Sequence, residues 1–177
     1  MKKFEFTIIA SGLDPEAPDF ENRFFEAGCD DAIIAFVKGR IVIEFEREAK
    51  NFSHALAGAI QDVRQAGATP EHIEPDYLVS LSDIAERCNL SKAAISLYAK
   101  GARGRSFPAP IVRLTTDSPL WDWVQVSSWM YREGKALTLE TVVEAKVVRD
   151  ANRALFEAQG RFESRFGQKF LEQVEAA

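Results

Sequence analysis

The sequence predicts an α+β protein in three parts, and three patterns carry that expectation. Phe4, Phe6, Ile8 and Ala10 alternate with Glu5, Thr7 and Ile9, the two-residue period of a half-buried strand over Lys3–Ala10. Leu81–Lys100 places small, apolar and turn-forming residues at helix-turn-helix spacing. From Thr138 to Val174 apolar residues recur every three or four positions, as on an amphipathic helix. The implied segments are 1–76, 77–135 and 136–177.

After the first strand, Gly12–Pro18 is a loop rich in turn residues. Asp19–Ala27 is a short helix with Phe20, Phe24 and Ala27 on one face, ended by Gly28. Ala32–Val37 and Arg40–Glu46 are strands joined by Lys38-Gly39, a two-residue hairpin connection. Asn51–Ala66 is a second helix with Phe52, Leu56, Ala59, Ile60 and Val63 as its stripe, stopped by Gly67. Glu71–Glu74 is a short closing strand. This βαββα(β) order is the ferredoxin-like plan, an antiparallel sheet with two helices on one face. That plan serves to hold a small effector, to dimerise or to support a neighbour, and does not choose among them.

Composition bounds the function. With 177 residues and 46% apolar content, the chain buries a real core. No apolar run reaches the length of a membrane span, and the opening Met1-Lys2-Lys3-Phe4-Glu5-Phe6 does not suit a signal peptide. Cys29 and Cys88 have no metal or redox spacing and read as reduced, buried thiols of a cytoplasmic protein. Two histidines, His54 and His72, are too few for an expected metal site, and no cofactor is implied. The net charge is −5, yet Arg87, Lys92, Lys100, Arg103, Arg105 and Arg113 fall in a stretch without acids, leaving 16 cations against 27 acids elsewhere. One basic segment in an acidic chain suits an anionic partner.

The central segment fills each constrained helix-turn-helix position. Leu81 opens it, and Ile84 and Cys88 face the core. Ala85 is small where the helices approach, and Asn89 tolerates the left-handed turn. Leu90, Ile95 and Tyr98 complete the apolar set. Ser80 with Asp83 forms a capping-box pattern, Ser91 caps the second helix and Gly101 ends it. That helix, Lys92–Lys100, is the one expected in the major groove of double-stranded DNA. Its outward positions are Ser91, Lys92, Ala93, Ser96, Leu97 and Lys100. Lys92 suits a guanine or phosphate, Ala93 a thymine methyl and Ser96 a base edge. Lys100, Arg103 and Arg105 suit phosphates.

Several of these residues also resemble a known family. Leu81-Ser82-Asp83-Ile84-Ala85-Glu86, Asn89-Leu90-Ser91, Phe107-Pro108-Ala109-Pro110, Trp121-Asp122-Trp123 and Val126-Ser127-Ser128-Trp129 resemble the excisionase-like (AlpA-like, MerR-related) winged helix-turn-helix proteins. The resemblance implies a hairpin of Ile111–Leu114 and Leu120–Trp123, then a helix Val124–Tyr131 with Trp129 in the core. Asp122 stands where that family often has arginine, and the tip Thr115–Pro119 is not basic, so the hairpin is expected to be structural first, with Arg113 the one cation left there for a phosphate. From Phe6-Thr7-Ile8-Ile9 through Glu26–Ala32 to Asp62-Val63, the chain also resembles bacterial DNA-binding proteins that join a βαββα domain to this module.

Enzymatic readings are weak. Asp30-Asp31 reads as a solvated turn, and Cys29 with His54 as an unpaired thiol and a structural imidazole. Gly101-Ala102-Arg103-Gly104-Arg105 lacks the context of a phosphate loop and reads as a basic linker. The expected function is sequence-specific DNA binding by a transcriptional regulator, without catalysis. A homodimer, through the sheet or the C-terminal helix, follows from two-fold half-sites. The alternatives are an interaction module such as the antitoxin of a toxin pair, with the C-terminal stripe Leu139, Val143, Val147, Ala151, Ala154, Ala158, Phe162, Phe166, Phe170 and Val174 taking a partner, or a ligand-sensing regulator.

Overall fold

The computed structural model describes residues 1–135 and 137–160. It is an α+β structure, and its contacts divide it into two compact units: residues 1–75 with 150–160, and residues 76–149.

The first unit is built on a four-stranded antiparallel sheet in the order β2-β3-β1-β4. Its strands are β1 (Lys2–Ser11), β2 (Ala32–Val37), β3 (Arg40–Ala49) and β4 (Thr69–Glu74). Alternation sets the faces: Phe4, Phe6, Ile8 and Ala10 of β1 are buried with Ile41, Ile43 and Phe45 of β3. Helices α1 (Phe20–Glu26) and α2 (Phe52–Gln65) supply Phe20, Phe24, Phe52, Leu56, Ala59 and Val63 to the same core. Phe6 stacks on Phe45 and meets Phe52 edge-on. Asn51 caps α2 by accepting from the His54 amide at 3.0 Å. Lys38 and Gly39 both take positive φ between β2 and β3, the two-residue turn that matches strand twist.

Arg47 of β3 ties this unit together. Its guanidinium donates to both carboxylate oxygens of Asp31 at 2.8 and 2.9 Å. It also reaches Asp62 of α2 at 2.6 Å and the Gly28 carbonyl at 2.8 Å. Asp31 is therefore a structural ligand of Arg47; the solvated turn expected of the pair describes Asp30 alone.

The outer edge of β4 is closed by side chains. Pro70 brings no N–H, and the ladder to β1 slips at Glu71, between the Ala10–Pro70 and Ile9–His72 pairs. Asn152 accepts from the Ile73 amide at 2.6 Å and donates to the Ile73 carbonyl at 2.9 Å. Gln159 donates toward the Pro70 and Glu71 carbonyls at 3.3 and 3.4 Å.

Asn152 lies on the long helix α6 (Leu139–Ala158) and Gln159 directly after it; the unit boundary divides that helix after Arg149. Its buried positions are Ala145, Val148, Asn152 and Leu155. This corrects the expected stripe: Leu139 and Val143 are exposed, Ala154 and Ala158 likewise. Counting apolar residues alone rotated the face, because one inward residue is the polar Asn152. Phe162, Phe166, Phe170 and Val174 lie outside the described residues.

The second unit contains β5 (Leu78–Val79), α3 (Leu81–Arg87), α4 (Lys92–Ala99), β6 (Trp121–Asp122), α5 (Trp123–Arg132) and the first part of α6. Its core gathers Val79, Ile84, Ala85, Cys88, Ile95, Tyr98, Trp121, Trp123, Val126, Trp129 and Met130. The hairpin expected from Ile111–Leu114 and Leu120–Trp123 is not a two-stranded ribbon. It reduces to a single bridge between Val112 and Leu120, and β6 pairs with β5 instead. Arg113 turns the chain out of extension at φ +59°. Among the described residues, no helix is long and apolar enough to cross a membrane.

Candidate nucleic-acid interface

The two helices of the second unit are fixed by the residues that define them. Ser80 accepts from the Asp83 amide at 3.3 Å, and Asp83 accepts from the Ser80 amide at 2.7 Å, a reciprocal capping box. Between the helices Asn89 takes φ +50°, the left-handed turn that asparagine tolerates better than most side chains. Ser91 caps α4 by accepting from the Ala94 amide at 3.1 Å. Ile84, Ala85, Cys88, Ile95 and Tyr98 all point into the core.

That burial turns the remaining face of α4 outward. Ser91, Lys92, Ala93, Leu97 and Lys100 are exposed, and Ser96 is half-buried. Leu97 is 44% exposed, a large apolar side chain left in water beside polar neighbours. The surface formed is about two turns long, carries a cation at each end and contains no acid from Cys88 to Thr116.

Arg103 and Arg105 follow on a loop that is anchored rather than free, which corrects its reading as a linker. Gly104 sits at φ +74°, and a side-chain carbon there would meet Trp129 at 3.0 Å. The Trp129 indole donates to the Arg105 carbonyl at 2.9 Å, and the Trp121 indole to the Pro108 carbonyl at 3.0 Å. Tyr98, Phe107 and Trp129 pack ring to ring beneath. The Arg103 guanidinium lies 5.5 Å from the Tyr98 ring centre, while Arg105 is exposed. Arg113 is exposed on the separate loop that ends in the Val112–Leu120 bridge.

Two cations differ from their sequence roles. Arg87 is withdrawn: its guanidinium lies 5.2 Å from the Trp123 ring centre, and burial lowers its pKa. Lys135 is gained, with its ammonium 5.2 Å from the Tyr98 ring centre. Nothing in the sequence pattern signals that second placement, because it depends on the return of the chain after α5. Asp122 caps α5 through the Val124 amide at 2.7 Å and pairs with Arg149 at 3.0 Å.

No protein-family model matches the chain, and neither does any curated protein or solved structure.

The thiols are not poised for chemistry. Burial pushes Cys29 and Cys88 up to about 11, so both are protonated at neutral pH and poor nucleophiles. The His54 imidazole is held by Asn51 at 2.8 Å. Among the described residues, no group of three or more His, Cys, Asp or Glu is arranged to hold a metal ion.

Proposed function

We propose that the second unit binds double-stranded DNA by seating α4 in the major groove, and that the protein is a transcriptional regulator. The observation that carries this is the sidedness of α4. Ile95 and Tyr98 are buried, while Ser91, Lys92, Ala93, Leu97 and Lys100 are offered to solvent from a capped, rigid helix. A helix of this diameter fits the major groove, and the N-terminal residues of such a helix reach base edges. Arg103, Arg105 and Arg113 then supply phosphate contacts, with Arg103 and Lys135 both set against the Tyr98 ring.

The element order βαββαβ and the strand order β2-β3-β1-β4 support a ferredoxin-like first unit. The turn at Asn89, its two caps and the Val112–Leu120 bridge support a helix-turn-helix with a vestigial wing. The wing's only cation is Arg113, so its role in grip is small beside that of α4.

The test is selection of bound duplexes from a random pool, followed by titration of the selected site against salt. Each phosphate neutralised contributes about −0.9 to the slope of log K against log salt. Lys92, Lys100, Arg103, Arg105 and Arg113 together set an expected slope of roughly −4.5. A flat salt response, or a pool that emerges without a consensus, overturns the reading.

A further inference from the structure

We propose that β2 is a self-association edge, at which a second copy of this chain adds its own β2 as an antiparallel neighbour across a two-fold axis. The inference stands on the first unit and does not depend on the DNA reading.

The sheet has two edges, and they are treated oppositely. The β4 edge carries a proline, a ladder slip and two side-chain amides that satisfy its outward groups. These are the devices by which proteins prevent strands from adding. The β2 edge has none of them. Ala32-Ile33-Ile34-Ala35-Phe36-Val37 contains no charge, proline or glycine, and pairs with β3 without a slip.

Its backbone phase leaves donors and acceptors outward. The Asp31 carbonyl accepts from the Glu46 amide, so Asp31, Ile33, Ala35 and Val37 share the phase that bonds to β3. The N–H and C=O groups of Ile34 and Phe36 consequently face away from the sheet. Apolar side chains cluster around them: Ile33 is 70% exposed, Phe36 49% and Phe25 of α1 65%. Phe25 shares one groove with Ala32, Ile33 and Ile34.

Charge selects the occupant. Asp30 precedes the strand and Lys38 follows it; both are exposed, and neither has an ion-pair partner among the described residues. Eight residues of extended chain separate them by about 26 Å, too far to pair within one molecule. A two-fold axis at Ile34 brings Asp30 of each protomer beside the partner's Lys38. Two such contacts flank a seam of Ile33, Ala35 and Val37 on one face and Phe36 on the other. Parallel addition of a second copy would instead set Asp30 against Asp30. The edge is thus complementary to itself in the antiparallel sense.

Sedimentation velocity of the full chain, over a concentration series, tests this. The expected species is a dimer of the 19.8 kDa chain. Asp30→Lys and Lys38→Asp are each expected to weaken it about tenfold, through two like-charge contacts per dimer. The double variant is expected to recover the wild-type dissociation constant. Phe36→Pro removes an outward donor without touching a ladder bond to β3, and is expected to give a monomer with unchanged circular dichroism. A wild-type chain that stays monomeric at about 100 μM, a dimer indifferent to Phe36→Pro, or a charge swap without recovery each overturns the proposal. These variants leave the second unit intact. Salt-dependent binding to a single half-site therefore reads the DNA proposal separately.

Discussion

The side-chain amide of Asn152 forms a closed pair with the peptide group of Ile73, accepting from its N–H at 2.6 Å and donating to its C=O at 2.9 Å. An amide side chain here takes the place of a fifth strand. Asn152 is 5% exposed, so water cannot substitute for it. Asn152→Leu leaves two buried backbone groups without partners, and the expected loss is about 2–4 kcal/mol in chemical denaturation. Asn152→Asp keeps the shape but sets a carboxylate against the Ile73 carbonyl. Its protonated form regains the missing donor, so its pKa in the folded state is raised. The stability deficit of this variant therefore narrows as pH falls toward about 4. A deficit constant with pH would show that the carbonyl is not the partner.

Arg47 of β3 joins the α1–β2 loop and α2 through Asp31, Asp62 and the Gly28 carbonyl. Hydrogen bonding to Asp31, the largest cause, raises its pKa, and its side chain is mostly buried. Arg47→Met removes the cation but leaves two carboxylates facing each other. The expected cost is roughly 3 kcal/mol, because the partners lose their charge compensation. Adding Asp62→Asn to that variant should recover part of the loss, measured by thermal unfolding.

The pattern of recovery between sequence and structure has physical causes. The β1 alternation, the Lys38-Gly39 turn and the Ser80, Asn89 and Ser91 signals are local, and local chemistry was enough to place them. The α6 face was not legible, because Asn152 points inward for a hydrogen bond made 79 residues away. The expected Ile111–Trp123 hairpin failed for a similar reason. Trp121 and Asp122 have a better partner in Leu78 and Val79, which no window around them contains. Asp122 took its place through a cap and Arg149. Of the candidate surface, the α4 face follows directly from helix periodicity. The loop carrying Arg103 and Arg105 is shaped by Trp129, which lies beyond any local signal.

Gly104 separates those two arginines at φ +74°, with the Trp129 ring where a side chain would begin. Gly104→Ala pays for both the left-handed backbone and the clash. The expected cost is about 1–3 kcal/mol, with quenched or shifted Trp129 fluorescence as the loop lifts. Gly101 has a similar φ of +69° but open space around it, so Gly101→Ala should cost about 1 kcal/mol and leave the fluorescence unchanged.

Cys29 and Cys88 give an alkaline signature. Each thiol is raised by burial to about 11 in the folded protein, from an ordinary value of 9.0. Between these values the unfolded chain loses its thiol proton while the folded chain keeps it. Stability from each thiol is thus present below pH 9 and lost as pH rises toward 11. Cys29→Ala should flatten that part of the stability curve relative to the wild type. In the native protein at pH 8, both thiols should react with a disulfide reagent far more slowly than after denaturation.

If α4 seats in the major groove as proposed, base reading and backbone grip fall to different residues, and single variants should divide the same way. Ala93 lies at the exposed start of the helix with Lys92 beside it. Ala93→Asp places a carboxylate where the groove edge would come, and binding to the selected site should fall by at least about a hundredfold. Lys92→Ala should cost about 1–3 kcal/mol and relax preference at one base position. Arg105→Ala acts on an exposed loop cation, so it should weaken all sequences alike and reduce the salt slope by about 0.9. Arg87→Ala is the internal control. Its guanidinium lies over Trp123 rather than on the α4 face, so the salt slope should be unchanged while thermal stability falls. A slope lost with Arg87 but kept with Arg105 would place the DNA on a different face.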